Sequence, residues 1–380
     1  MRGRCAIGGI IGVVGLSVGC TTASIFSDIG TNMANPLTVA VNPTLQRAYI
    51  VNSNAKYLYT AGSLHVVDLS TITSPTLVQS KALESFGGGI SLDATNNMAY
   101  IADRLSDDDL DTTDQLLQIN VAEGSSAFLS VSASEANDDP FGVAFDATNN
   151  QLAVATRAGT LDIYTVSGSG ATRVAQVDLN RALDNGEDLS SVEAIEAVIM
   201  GTQAVVTLAD GGVLVVNMTE ATASGVNPVD YYISDIESPR GIAVSGTTLF
   251  VVSVTADGEN LLLQLDVSSL AADDSNTTTA VKDKDTAGLL VTSYTVGENP
   301  QEVVVSGTTA YVSNLDADSV SVVDTGAASV STITVGEEPF GLAIYQEVVG
   351  TDSHVLVCNL QSNSVSIIAL ASNAVVATYP

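Results

Sequence analysis

A short apolar run recurs seven times along the chain. The copies are Val39-Ala40-Val41, Ile90-Ser91-Leu92, Val143-Ala144-Phe145, Val198-Ile199-Met200, Ile242-Ala243-Val244, Val303-Val304-Val305 and Leu342-Ala343-Ile344, at intervals of 39 to 61 residues. Each is followed, after a tight turn, by a second apolar run such as Ala48-Tyr49-Ile50-Val51 or Leu249-Phe250-Val251-Val252. A third run ends in Asp or Asn in five units, at Asp68, Asn120, Asn217, Asp266 and Asp324, where a short polar side chain caps the next turn. A weaker fourth run closes each unit. A repeat of this length carrying only strand signals excludes most folds and leaves a radial array of small sheets. Near-continuous Val/Ile/Leu runs mean that both faces of each sheet are buried. The sequence therefore predicts an all-β, seven-bladed β-propeller with four-stranded antiparallel blades over residues 37–380.

The last two units carry a more specific pattern. Ala310-Tyr311-Val312-Ser313-Asn314, Val320-Ser321-Val322-Val323-Asp324 and Val335-Gly336-Glu337-Glu338-Pro339-Phe340-Gly341 resemble the YVTN-type propeller repeat, with its Tyr-Val-(Thr/Ser)-Asn strand and Val-Gly-x-x-Pro-x-Gly return loop. The resemblance implies a seven-bladed ring and an exported or surface-attached protein. It implies no particular chemistry. The chain has no Trp, so the Trp-Asp repeat and the Trp-rich repeats of quinoprotein dehydrogenases are excluded.

The first residues read as a targeting segment. Arg2 and Arg4 precede an apolar run from Ala6 to Val18, and Leu16-Ser17-Val18-Gly19-Cys20 resembles a bacterial lipobox. Residues 1–19 are then a lipoprotein signal peptide, with acylation expected at Cys20. An ordinary signal peptide cut near Gly19 is the alternative. Residues 20–36 form a tether or a strand that closes the ring. The expected localisation is exported and lipid-anchored, with the membrane met through the anchor only. Cys358 would be the one thiol left, which excludes an intrachain disulfide.

The net charge is -31, from 12 basic and 43 acidic residues. Nucleic acid is excluded as a partner, because phosphate binding needs clustered Lys and Arg. Many carboxylates fall in the return loops and in the loops between second and third strands, which share one face of a propeller. Such a face attracts cations or a basic partner. Aligning the Pro-x-Gly loops places Leu37, Gly88, Phe141, Glu196, Arg240, Gln301 and Phe340 around the channel mouth, with Glu302 beside Gln301. Phe141, Glu196, Arg240, Gln301, Glu302 and Phe340 form the candidate site for an envelope protein or a small ligand, with Phe141 and Phe340 as exposed aromatic contacts, and the alignment allows a Glu196–Arg240 ion pair.

Two further features bear on chemistry. The acidic insertion containing Asp107, Asp109, Asp111 and Asp114 offers hard oxygen ligands for Ca²⁺. It departs from the EF-hand pattern, with Thr112 at the turn position and Gln118 at the bidentate position. The insertion 271–287 reads as a solvated loop. Only His65 and His354 are present, His65 in a third strand and His354 in a turn at the opposite face, with no nucleophile elbow, phosphate loop or Cys-x-x-Cys. The leading expectation is a binding or scaffolding module of the bacterial envelope. A Ca²⁺-assisted, lactonase-like hydrolase using the mouth carboxylates is the alternative.

Overall fold

The computed structural model describes residues 30–53, 61–83, 86–104, 114–168, 170–223, 226–270 and 278–380. They form seven blade sheets, each running in chain order from an inner to an outer strand, and a small two-stranded sheet of Arg181–Ala182 with Asp188–Leu189. The inner strands are Pro36–Asn42, Phe86–Asp93, Pro140–Asp146, Ala194–Met200, Pro239–Ser245, Pro300–Ser306 and Pro339–Tyr345. All pairings within the seven meanders are antiparallel, and the protein is a seven-bladed β-propeller.

Local chemistry explains the turns. The side-chain oxygens of Asp68, Asn120, Asn217, Asp266 and Asp324 each accept a hydrogen bond from the backbone N–H two residues on, at 2.7 to 3.1 Å. The carboxyls of Asp68 and Asp266 are held below the usual range by these bonds. At the other end, the residue before the return-loop proline is left-handed in five blades: Asn35, Asp139, Ser238, Asn299 and Glu338. In four of these its carbonyl accepts the N–H of the residue that follows the second strand, Ser53, Arg157, Leu315 or Leu360, at 2.9 to 3.0 Å.

The Asn that ends the second strand also has a defined task. Asn359 donates to Ser364 and Ser366 at 3.1 and 3.0 Å, and Asn314 donates to Ser319 and Ser321 at 3.1 and 3.0 Å. A Cβ at Gly336 would lie 2.7 Å from Cγ of Asn359, and one at Gly297 would lie 2.5 Å from Cγ of Asn314. The return-loop glycine is therefore required by the buried amide beneath it.

Seven clusters of buried apolar side chains fill the seven gaps between neighbouring blades. The gap between the last blade and the first is filled like the others. Val39, Ile50 and Leu69 meet Tyr345, Leu356 and Cys358 there. Burial pushes the Cys358 thiol well up, so it stays a neutral, inert part of this core. Residues 30–35 contain no strand. Asn35 ties them to the last blade: its N–H donates to Asn363 Oδ1 at 2.8 Å and its side-chain amide to the Leu360 carbonyl at 3.0 Å.

Two expectations need correction. Ala280–Asp283, inside the insertion read as a solvated loop, is a fifth strand lying parallel to Val229–Ser234 on the edge of blade four. Its short, charged sequence hid it, because its stability comes from pairing to an exposed edge. His354 is not in a turn. It begins the second strand of blade seven and is buried.

Gly336→Ala is expected to lower stability by about 1–3 kcal/mol, through overpacking against Asn359. Gly170→Ala, whose Cβ would meet nothing closer than 3.8 Å, is expected to stay within about 0.5 kcal/mol of the wild type. Urea unfolding of the two variants checks the contrast.

Candidate ligand site at the channel mouth

Each inner strand carries a bulge just after its return loop, where pairing jumps from Pro239 to Ile242, Pro300 to Val303, Pro339 to Leu342 and Ala194 to Ala197. This register fixes two rings of residues. The outer ring is Leu37, Gly88, Phe141, Ile195, Arg240, Gln301 and Phe340. The inner ring, one residue further down the channel, is Thr38, Gly89, Gly142, Glu196, Gly241, Glu302 and Gly341. Glu196 thus belongs with Glu302 and not with Arg240, one step from its expected place. Blade four has Ala194 where five other blades have proline and Glu196 where four have glycine, so its loop lacks both landmarks that align most of the rest.

The inner ring is mostly glycine because neighbouring blades touch there. A Cβ at Gly89 would lie 2.5 Å from the Phe141 carbonyl, one at Gly142 2.8 Å from Cα of Glu196, and one at Gly241 2.5 Å from the Gln301 carbonyl. Glu196 and Glu302 are tolerated because a hydroxyl from the second strand bridges to the next blade. Thr207 Oγ1 accepts the Glu196 N–H at 3.2 Å and donates to the Arg240 carbonyl at 2.8 Å. Ser313 Oγ does the same between Glu302 and Phe340, at 3.1 and 2.6 Å.

A cavity of about 380 Å³ opens at this mouth, and all six residues of the candidate site line it. Glu196 and Glu302 also line the channel below, a space of about 470 Å³ walled by the inner strands. The two carboxyls therefore stand between cavity and channel. One oxygen of each accepts the N–H of the next residue, Ala197 or Val303, at 3.2 Å. The expected Glu196–Arg240 pair is absent among the described residues. Arg240 instead donates to the Asn299 amide oxygen at 2.6 Å, which also accepts from Gln301 at 2.8 Å, and the Asn299 amide donates to Asp316 at 3.0 Å.

Burial dominates the electrostatics of the pair. Each carboxyl stands half-buried in the ring between cavity and channel, and one backbone hydrogen bond does not replace the hydration it gives up. Desolvation raises Glu196 to about 7. Glu302 is raised well above the usual range by the same cause and further by the charge of Glu196. Burial also lowers Arg240, against the pull of Asp316.

The aromatics behave differently from expectation. Phe141 is buried. With Leu37 and Leu360 it forms an apolar plug across part of the mouth, against which Ile195, Leu315 and Phe340 pack. The mouth is thus partly filled, and Phe340 is the aromatic left half-buried. Two guanidiniums lie over the Phe141 ring, Arg157 at 5.3 Å and Arg104 at 5.6 Å from its centre. Arg104 also pairs with Asp139. Arg157 lines the cavity and is exposed. Sequence reading followed the inner strands and missed Arg157 and Ile195. The position after the second strand, which holds Ser53, Arg157, Leu315 and Leu360, was the available signal.

The loops of this face expose Asp138, Asp210, Glu237, Glu298, Asp316 and Glu337. The opposite end carries carboxylates too, but Asp68, Asp93, Asp146, Asp266 and Asp324 are engaged there as turn caps. Cys20, Asp107, Asp109 and Asp111 lie outside the described residues. Asp114 accepts the backbone N–H of Asp139, which anchors a return loop. Among the described residues no group of three or more His, Cys, Asp or Glu side chains is arranged around an ion. His65 is buried in blade one and lowered to about 4 by desolvation, away from the mouth.

Comparison with known proteins supports the fold. The LVIVD repeat matches residues 51–82, from the second to the outer strand of blade one. A search of curated proteins gave no match. Among solved structures, Kuenenia stuttgartiensis hydrazine synthase aligns over 93% of this chain and 99% of its own, at 13% identity and a TM-score of 0.65. The β-propeller domain of Cps50 (Swd1), described as from Myceliophteria thermophila, aligns over 89% and 97%, at 11% identity and a TM-score of 0.64. At such identities the likeness is one of fold.

The raised carboxyls make stability depend on pH with a definite sign. The folded chain keeps protons that the unfolded chain releases above the ordinary glutamate range, so stability falls as pH rises from there through about 7 for Glu196. Glu196→Gln is expected to remove roughly 2–3 kcal/mol of the decline between about pH 5 and about pH 8. Urea unfolding at the two pH values measures it, and an unchanged difference between them would contradict the burial of this carboxyl.

Proposed function

We propose that the protein is an exported, lipid-anchored binding module of the bacterial envelope that engages its partner through the return-loop face. The observation that carries this reading is the convergence of six side chains from five blades on one cavity of about 380 Å³ at the channel mouth. That size suits a small-molecule or peptide-end site. The exposed carboxylates around it, in a chain of net charge -31, favour a partner with a basic surface. Anchoring rests on the order of basic residues, apolar run and Gly19-Cys20 step in the sequence. A metal-assisted hydrolase is less well supported. It needs a third ligand grouped with Glu196 and Glu302, and among the described residues no three His, Cys, Asp or Glu side chains stand close enough to hold one ion.

Cys20→Ser is expected to move the protein from the membrane to the soluble fraction. Unchanged fractionation, with no lipid on the wild-type N-terminal peptide, contradicts anchoring. Capture from envelope extract with residues 30–380 identifies the partner. For that complex, Glu298→Gln with Glu337→Gln is expected to slow association several-fold at low salt and little at high salt. Phe340→Ala is expected to speed dissociation. Protection of the opposite face or of the outer strands would place the interface elsewhere.

A further inference from the structure

We propose that the mouth cavity binds a small zwitterion with its charges at opposite ends, its ammonium held between Glu196 and Glu302 and its carboxylate met by Arg240 and Arg157. The proposal rests on the binding-module reading and adds the chemical class of the ligand.

Three observations carry it. First, the cavity is charged at two depths. Arg240 stands in the outer ring and Arg157 on the adjoining loop, whereas Glu196 and Glu302 stand in the inner ring, one residue of about 3.3 Å further down. Second, the charges are not spent on each other. The carboxyls accept hydrogen bonds only from backbone N–H groups, and Arg240 is held by the neutral amide of Asn299. Arg157 lies over the Phe141 ring, with no ion pair among the described residues. Leaving guanidiniums without carboxylate partners is unusual in a chain with 12 basic and 43 acidic residues. Third, apolar side chains, Ile195 and Phe340, line the same cavity and stand in the outer ring with Arg240.

A simple cation would satisfy the floor and be repelled at the rim. A simple anion would meet the rim and leave two carboxyls without a counter-charge. A molecule with a terminal ammonium, a short apolar body and a terminal carboxylate satisfies both levels. Entry of the ammonium displaces protons held by the pair near neutral pH into solvent and gives the resulting carboxylates charge-assisted hydrogen bonds. The guanidiniums present paired donors to the carboxylate, a geometry that favours Arg.

Calorimetry near neutral pH with ε-aminocaproate, hexylamine and caproate tests the proposal, since the three share one chain length and differ only in their end groups. The expected result is that ε-aminocaproate binds at least tenfold more tightly than either of the others. Glu302→Gln is expected to bring its affinity down to that of caproate, and Arg240→Gln down to that of hexylamine, with melting curves showing both variants folded. Hexylamine or caproate binding as tightly as ε-aminocaproate would overturn the proposal. So would an absence of binding by all three up to about 10 mM. A partner captured on this face while no probe binds overturns the zwitterion alone. A probe that binds as expected while the partner protects another face upholds the zwitterion and overturns the shared interface.

Discussion

The close approach of successive inner strands is the constraint on which the molecule depends. Seven chains must converge on one axis, and each must pass its neighbour at backbone distance. Glycine answers this at Gly89, Gly142, Gly241 and Gly341, where any Cβ would meet the next blade's backbone. The last of these lies against Leu37 and Thr38 of blade one, so the ring closes by the same contact that builds it. Among the described residues no strand is exchanged between the first and last blades, which meet through packing and the Asn35 hydrogen bonds.

The site is a local departure from that rule. At blades four and six the glycine gives way to glutamate, and Thr207 and Ser313 bridge the gap that results. Two carboxyls are thereby aimed inward at a place where water is scarce. Their protonation is unfavourable to lose, and the protein supplies them with backbone N–H groups in place of a cation. Such an arrangement costs stability above neutral pH. Sites that spend stability in this way are where function is usually found.

Much of the fold is legible in the sequence, for identifiable reasons. Strand runs are visible because both faces of each blade are buried, as at Val320–Val323 and Val355–Cys358. Turn caps are visible because they require Asp or Asn at a strand end. The site is legible only in part. All six residues singled out line the cavity, yet Glu196 falls one register from its expected place because blade four lacks the proline and glycine that mark the others. Phe141 reads as an exposed contact, but Leu37 and Leu360 cover it from sequence-distant blades. The strand Ala280–Asp283 is invisible because an edge strand with two charges in four residues carries no periodic signal.

The central claim is that Glu196 and Glu302 are held half-buried and desolvated as an interacting pair between cavity and channel. A carbon-13 NMR titration of the glutamate side-chain carboxyls, with Glu196→Gln and Glu302→Gln used for assignment, tests it most directly. The account predicts that Glu196 titrates near 7 and Glu302 well above the ordinary range, and that removing Glu196 brings Glu302 down. Two ordinary titrations in the usual glutamate range, each indifferent to loss of the other, would contradict it.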